Sequence, residues 1–320
     1  MKPFEFRNFL GRLGELSPEQ MRALGEVMAG SRDDAIAIIE ARFGASPVCP
    51  GCASRDIKSW GSTGGLKRHR CRDCRRTFTA LSDTPLSGLH KRDTWLAYAE
   101  SMIRHASVRE AAAICGIDKT TSFRWRHRFL EAPREIKAAK LTDIVEVMPE
   151  ACFQHDETFF LESFKGSPEL PRPARKRGGK ASKRGLSGEQ IPVLIARDRH
   201  GAMTDGVLDD LTDKSVAGVL GPVIDRNNVL VSDGAERYRR IADERNILHV
   251  SLNLSAGERT WGVYHIQNVN AYDSRLKTWM KPFKGVATKY LANYLGWHRA
   301  IDKPSHGTKV PAALLTSALG

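Results

Sequence analysis

The sequence has no apolar run of about 18 residues or more, the minimum for a membrane-spanning helix, and a transmembrane role is therefore excluded. The opening stretch MKPFEFRNFLGRLGEL lacks the long apolar core and small-residue cleavage site of a signal peptide, so the expected location is cytoplasmic. Cysteine is scarce, with six in 320 residues, and four of them fall into two CxxC pairs. In a cytoplasmic chain that usage argues for metal and against a disulfide framework. Acidic residues are also in short supply: 37 Asp and Glu stand against 50 Lys and Arg, a net charge of +13. A polyanion is the default partner of such a chain, because neutralised phosphates release counterions.

The length allows two or three domains, each with its own core. The basic excess is blocked rather than uniform. Residues 46–92 hold ten Lys and Arg against three Asp and Glu, residues 104–140 nine against four, and residues 165–184 eight against one. The organisation we read is a helical lead-in over 1–45, a zinc ribbon over 46–92, a helical DNA-binding region over 93–140, an α/β domain over 145–303 and a tail over 304–320 taken as weakly ordered at best.

The strongest local motif is Cys49-Pro-Gly-Cys52 with Cys71-Arg-Asp-Cys74 after it. Each CxxC sets two thiolates on a tight turn, and two such turns complete a tetrahedral zinc site. Between them, Ile57–Trp60 and Leu66–Arg70 read as strands around a glycine turn, with Phe78 expected to cap a small core. Lys67, Arg68, Arg70, Arg75 and Arg76 crowd the second knuckle, so the ribbon is either purely structural or a DNA contact. Further on, Asp93 is expected to cap one helix and Ser107 the next. Gly116 makes a turn into the basic helix DKTTSFRWRHRFLEA. This is a helix-turn-helix pattern, with a plain helical bundle as the alternative. Lys119, Thr120, Ser122, Arg124 and Arg126 are expected to face outward, and Phe123 and Phe129 inward.

In the α/β region, PEACFQHDETFFLESF reads as a strand interrupted by Asp156. A carboxylate there costs several kcal/mol if buried unpaired, so it should face a cation or a cleft. Residues 165–189 cannot bury a core; Arg175, Lys176, Arg177, Lys180, Lys183 and Arg184 make this either a solvated loop or a basic clamp on a phosphate backbone. A hairpin IPVLIARDR/AMTDGVL, a helix, the strand VLVS ending at Asp233-Gly234, a helix and a short strand follow. In HIQNVNAYDSRLKTWM, Asn270 and Lys277 lie seven residues apart, which puts them on one helix face. The element order is that of an RNase H-like domain. Asp156 and Asp233, converging from different strands, can hold two Mg²⁺ ions about 4 Å apart; for Asp233-Gly234 a plain strand-to-helix cap is the alternative.

These motifs together, from CPGC…CRDC…F through HDETFF, ARKRGGKASKRGLSGEQIPVLIARDR and VLVSDG to YHIQNVNAYDSRLKTWMKPFKGVATKYLANYLGWHR, resemble the bacterial insertion-sequence transposases of the zinc-ribbon, ISXO-like group. The resemblance covers nearly the whole chain. It implies an RNase H-like DDE domain preceded by the zinc ribbon and helix-turn-helix, with Asp156 and Asp233 as the two catalytic aspartates. Asn270 would occupy the third, usually acidic slot, with Asp273 or Glu258 as residues able to share its role, and Lys277 would contact DNA near the scissile phosphate. His265 would orient a ligand or cap its helix. Implied cofactors are structural Zn²⁺ and catalytic Mg²⁺ or Mn²⁺. Implied partners are the element's ends, target DNA and further copies of the chain. The implied activity is cleavage at terminal inverted repeats and transfer of 3′ ends. An inert zinc-ribbon regulator descended from a transposase, and a stand-alone RNase H-like nuclease, are the alternatives.

Overall fold

The computed structural model describes residues 34–44, 47–149, 160–173, 188–283, 285–302 and 311–320, with residues 12, 15–17, 181 and 182. The chain divides into two compact units: Met1–Phe129 with Gly307–Gly320, and Leu130–His306. Among the described residues no helix is long and apolar enough to cross a membrane.

The first unit begins with a helical stretch over residues 34–41, whose Ala35 and Ile39 are buried. An antiparallel ribbon follows, made of β1 (Ile57–Thr63), β2 (Leu66–Cys71) and β3 (Thr77–Phe78). Thr63 pairs with Leu66, leaving Gly64 and Gly65 as a two-residue turn with φ of 57° and 85°. Positive φ at both central positions is what such a hairpin turn demands, and glycine supplies it without strain. The expected strands are therefore longer than the sequence pattern gave, and Gly61 sits where the register shifts between Ser59 and Ser62.

Three helices follow: α1 (Trp95–Ile103), α2 (Val108–Ile114) and α3 (Lys119–Glu135), whose residues from Leu130 onward belong to the second unit. Thr94, not Asp93, occupies the cap position of α1. Ser107 caps α2 as expected, in a reciprocal capping box with Glu110. Gly116, at φ 58°, makes the turn, and Asp118 accepts from Thr120 N at 2.6 Å to start α3. The expected phase of α3 requires correction. Its inward stripe is Ser122, Trp125, Arg126, Phe129 and Leu130, whereas Phe123 is exposed. Trp125 and Phe129 meet Trp95 and Tyr98 edge-on and set the rotation of the helix. Ser122 and Arg126 can be buried there because each bonds a carbonyl: Ser122 Oγ donates to Val108 O at 2.8 Å and Arg126 Nη2 to Ala106 O at 2.7 Å.

The second unit is a five-stranded sheet with helices on both faces. Its strands are β4 (Ile144–Pro149), β7 (Val193–Asp198), β8 (Met203–Val207), β9 (Val229–Ser232) and β10 (Leu248–Ser251), in the order β10-β9-β4-β7-β8. β4, β9 and β10 run parallel, and β7 and β8 are antiparallel neighbours. A short pair, β5 (Phe160–Leu161) and β6 (Gln190–Ile191), brackets the basic arm. One face carries Val145, Val147, Leu194, Ala196 and Leu230 against α4 (Asp213–Leu220) and α5 (Glu236–Glu244). Fully buried aliphatic side chains contribute roughly 1.5–3 kcal/mol each, and this cluster is the core of the unit. A minor hairpin, β11 (Thr260–Trp261) and β12 (Tyr264–His265), leads into α6 (Gln267–Met280), which with α7 (Leu291–Ile301) covers the other face.

Two further expectations change. The first strand of the sheet is β4, which ends at Pro149, ahead of the strand read over 149–164; Glu162–Phe164 form no strand, and residues 150–159 lie outside those described. The tail is not weakly ordered throughout: Pro311–Leu319 form a helix, α8, that buries Leu314, Leu315, Ala318 and Leu319 and packs on α1. The apolar positions of AALLTSAL are one helical turn apart, a stripe too short to stand out behind a Pro-, Gly- and Lys-containing stretch.

Candidate functional site

The four CxxC cysteines come together. Their sulfurs all lie within 4.8 Å of one another, with Cys49 Sγ 3.5 Å from Cys74 Sγ and Cys52 Sγ 3.6 Å from Cys71 Sγ. A tetrahedral zinc with Zn–S bonds of about 2.3 Å sets its sulfurs about 3.8 Å apart, so the quartet fits that ion. Burial opposes ionisation of Cys49. The backbone N–H groups of Gly51 and Cys52 and the neighbouring thiols nevertheless bring it down to about 7. Cys52, favoured by the backbone at Ser54, is carried up to about 12 by Cys74, burial, Cys71 and Cys49. Several thiolates share so small a volume only around a cation. Phe78 is buried beside Cys49 and Cys71, with Phe43 and Ile57 packed on them, as the capping expectation required. The lone thiol of Cys115, pushed up to about 11 by burial, has the character of an inert core cysteine.

The basic residues divide. Lys67, Arg75 and Arg76 on the ribbon and Lys119 and Arg124 on α3 are exposed. Arg70 lies 4.6 Å from the Trp60 ring centroid, with Lys58 at 4.8 Å, and Arg68 donates to Thr77 Oγ1 at 3.1 Å. Arg126, expected to face outward, is 1% exposed and held at Ala106 O, so this arrangement offers it to no phosphate. Arg175, Lys176, Arg177, Lys180, Lys183 and Arg184 lie outside the described residues.

At the sheet, Asp233 is half-buried and follows β9 directly, at the carboxyl end of the strand, where open α/β sheets place ligand sites. Gly234 at φ 90° turns the chain there, and a Cβ on it would come within 2.8 Å of Ser251 Oγ. Asp233 Oδ1 accepts from Ala235 N at 3.4 Å, and no cation pairs with this carboxylate among the described residues. Asp156 lies outside those residues. Asn270 sits in the first turn of α6, and its Oδ1 is buried with no hydrogen-bond partner. A buried amide oxygen without a partner is an exception among buried polar groups and calls for an explanation. Two turns on, Lys277 Nζ bonds Asp273 Oδ2. Burial, outweighing Lys277, holds the Asp273 carboxyl above its ordinary range, and Asp273 Oδ1 is also unpartnered. Glu258, which is exposed, accepts from Asn253 N at 3.0 Å through Oε2. His265, just ahead of α6, faces Gln267 N through Nδ1 at 3.2 Å and also meets Arg199.

Glu146 belongs to no motif of the sequence. This residue of the central strand is 0% exposed and faces α6. Its Oε2 accepts from Asn268 N at 2.8 Å and Val269 N at 3.0 Å; its Oε1 accepts from Asn268 Nδ2 at 2.8 Å and lies 3.2 Å from Arg199 Nη1. A single polar residue within IVEV was the available signal, and alternation alone reads it as the solvent side of a strand.

The sequence matches the ISXO2-like transposase domain over residues 154–297 and the transposase zinc-ribbon domain over residues 31–77. The ribbon match starts ahead of the expected boundary, in keeping with Glu40 of the 34–41 helix accepting from Lys67 N at 2.7 Å. A relative described as an uncharacterized protein in transposable element ISH50 of Halobacterium salinarum is 25% identical over 254 residues, covering 77% of this chain and 82% of the relative. That organism is an archaeon, so the likeness extends beyond the bacterial group. The chain thus carries an ISXO2-like transposase domain preceded by a transposase zinc ribbon, and it is similar to a protein of a transposable element.

Proposed function

We propose that the protein binds the terminal inverted repeats of its own element, cuts the DNA there, and joins the 3′ ends to target DNA, acting as an oligomer on paired ends. The observation that carries this reading is the buried, unpartnered Oδ1 of Asn270 on the helix that packs over the sheet bearing Asp233. The strand order β10-β9-β4-β7-β8, with three parallel strands and an antiparallel hairpin, supports an RNase H-like fold. Asp156, Asp233 and Asn270 would hold Mg²⁺ or Mn²⁺. A divalent ion held there supplies activation of water or a 3′-hydroxyl and stabilises the leaving oxygen. Lys277, held by Asp273, is poised to meet a phosphate. The cysteine quartet would hold structural zinc. The exposed Lys67, Arg75 and Arg76, with Lys119 and Arg124 on the second helix of a helix-turn-helix, would supply the sequence-independent part of end binding. The arm with Arg175, Lys176, Arg177, Lys180, Lys183 and Arg184 would clamp the backbone.

A second reading, an inert DNA-binding regulator, is favoured by one observation: Glu146, the carboxylate that β4 offers, has both oxygens committed to α6 and Arg199. One experiment separates the two. Labelled DNA carrying the element's ends is incubated with Mg²⁺ or with EDTA, using wild type and Asp233→Ala. Metal-dependent nicking by wild type, lost in the variant while end binding persists, is the expected result. Tight binding by wild type with no nicking would establish the regulator, and loss of binding in Asp233→Ala would make that aspartate structural.

A further inference from the structure

The geometry points to Glu146 as a positioning residue that docks the N-terminus of α6 on the central strand and thereby places Asn270 and Lys277; this rests on the reading of Asn270 as a metal ligand. The first turn of a helix leaves four backbone N–H groups without intrahelical partners. Side chains such as Ser, Thr, Asp or Asn at the cap position ordinarily satisfy them, but α6 has Ile266 there, which offers no side-chain bond. The donors of the first three helical residues can be accounted for one by one. Gln267 N faces His265 Nδ1 at 3.2 Å, and Asn268 N and Val269 N both go to Glu146 Oε2; Asn270 N then makes the first intrahelical bond, to Ile266 O at 3.1 Å. A carboxylate 122 residues upstream therefore does what the local sequence does not. Its negative charge also sits at the positive end of the helix dipole.

The contact is specific in direction as well as charge. Glu146 Oε1 takes the side-chain amide of Asn268 at 2.8 Å, which fixes the rotation of the helix about its axis as well as its height on the sheet. Arg199, in the turn after β7, neutralises the buried carboxylate at 3.2 Å. Through its second amino group Arg199 also donates to Val263 O at 2.9 Å, and it bonds the His265 ring. The hairpin β11–β12, the start of α6 and the central strand thus share one buried ion pair. Asn270 follows Val269 directly, so its amide oxygen can shift little while Glu146 holds Asn268 and Val269. Because both Glu146 oxygens are occupied, Glu146 is not itself a metal ligand in this arrangement; it acts through α6.

The test uses full-length, zinc-loaded protein carrying Glu146→Ala or Glu146→Gln. Two quantities are read: amide hydrogen exchange over residues 266–272, and the affinity for Mn²⁺ measured by calorimetry. Outer contacts that orient metal ligands typically change affinity roughly 10–100-fold when removed. The expected result for Glu146→Ala is faster exchange at Asn268 and Val269 with Mn²⁺ binding weakened by that factor. Glu146→Gln, which keeps one acceptor oxygen, should fall between it and wild type, and it serves alone if the alanine variant does not fold. Unchanged exchange would overturn the docking role. Faster exchange with unchanged Mn²⁺ affinity would overturn the positioning role and leave a helix cap. A wild type that binds no Mn²⁺ would overturn the metal reading of the site, and with it the placement of Asn270, while exchange at Asn268 and Val269 still decides whether Glu146 docks the helix.

Discussion

Removing the ion from the cysteine quartet should unfold the ribbon while leaving the helices of the same unit in place. The apolar cluster around the quartet is Cys49, Cys71 and Phe78, with Phe43 and Ile57 packed on it. All of β1 after Ile57 is exposed. Such a cluster is small beside the sheet core of the second unit. Small zinc modules draw about 10–16 kcal/mol of apparent free energy from the metal near neutral pH. Whole domains are stable by only about 5–15 kcal/mol, so a ribbon deprived of its ion has no reserve. Trp95, Tyr98, Trp125 and Phe129 form a separate aromatic core needing no metal, and they provide an internal control. The assay is chelation of the full chain with metal release followed by a chromogenic dye and amide exchange by mass spectrometry. Exchange across β1 and β2 should collapse as one ion per chain is released, while α1 stays protected. Cys49→Ser should behave as the stripped protein does. Undiminished protection of β1 and β2 after complete metal loss, or full metal content in Cys49→Ser, would refute the argument.

Gly296→Ala should destabilise the second unit, although alanine is the better helix former by about 1 kcal/mol. The added Cβ would lie 2.6 Å from Arg134 Cα and 2.8 Å from Pro133 O; overpacking of that kind costs roughly 1–3 kcal/mol, and a raised denaturant midpoint would contradict it. His249, bonded to Ser232 Oγ at 2.9 Å, is held below the ordinary histidine range chiefly by burial, which Arg239 reinforces and Asp243, Glu236 and Asp233 oppose. The folded state then takes up fewer protons than the unfolded one, so stability present above about pH 6.5 is lost as pH falls through the histidine's folded value. Denaturation of wild type and His249→Asn at pH 7.5 and 5.5 checks the sign, and an equal acid loss in both would remove His249 as the cause.

What could be read from sequence was whatever rests on spacing or local backbone chemistry. The two CxxC turns, the Gly64–Gly65 hairpin, the Ser107 cap and the position of Asp233 after VLVS all depend on near neighbours in the chain, and all are found in place. The failures share a different cause. The phase of α3 differs from the expected one because a buried arginine and an exposed phenylalanine invert the usual rule, and Arg126 is held in the core by partners such as Ala106 O, 20 residues away. Glu146 was overlooked because its partners, Arg199 and the start of α6, are distant in sequence. Long-range polar pairing leaves no periodic trace.

The placement of α8 has a consequence for synthesis of the chain. The core of the first unit is incomplete until Leu314, Leu315 and Leu319 have left the ribosome, nearly two hundred residues after α3. Domains generally fold as they emerge, yet here α1 must wait for α8, which is made after the strands of the second unit. A chain lacking Pro311–Leu319 would therefore bare the apolar face of α1 that Leu314, Leu315 and Leu319 help to cover.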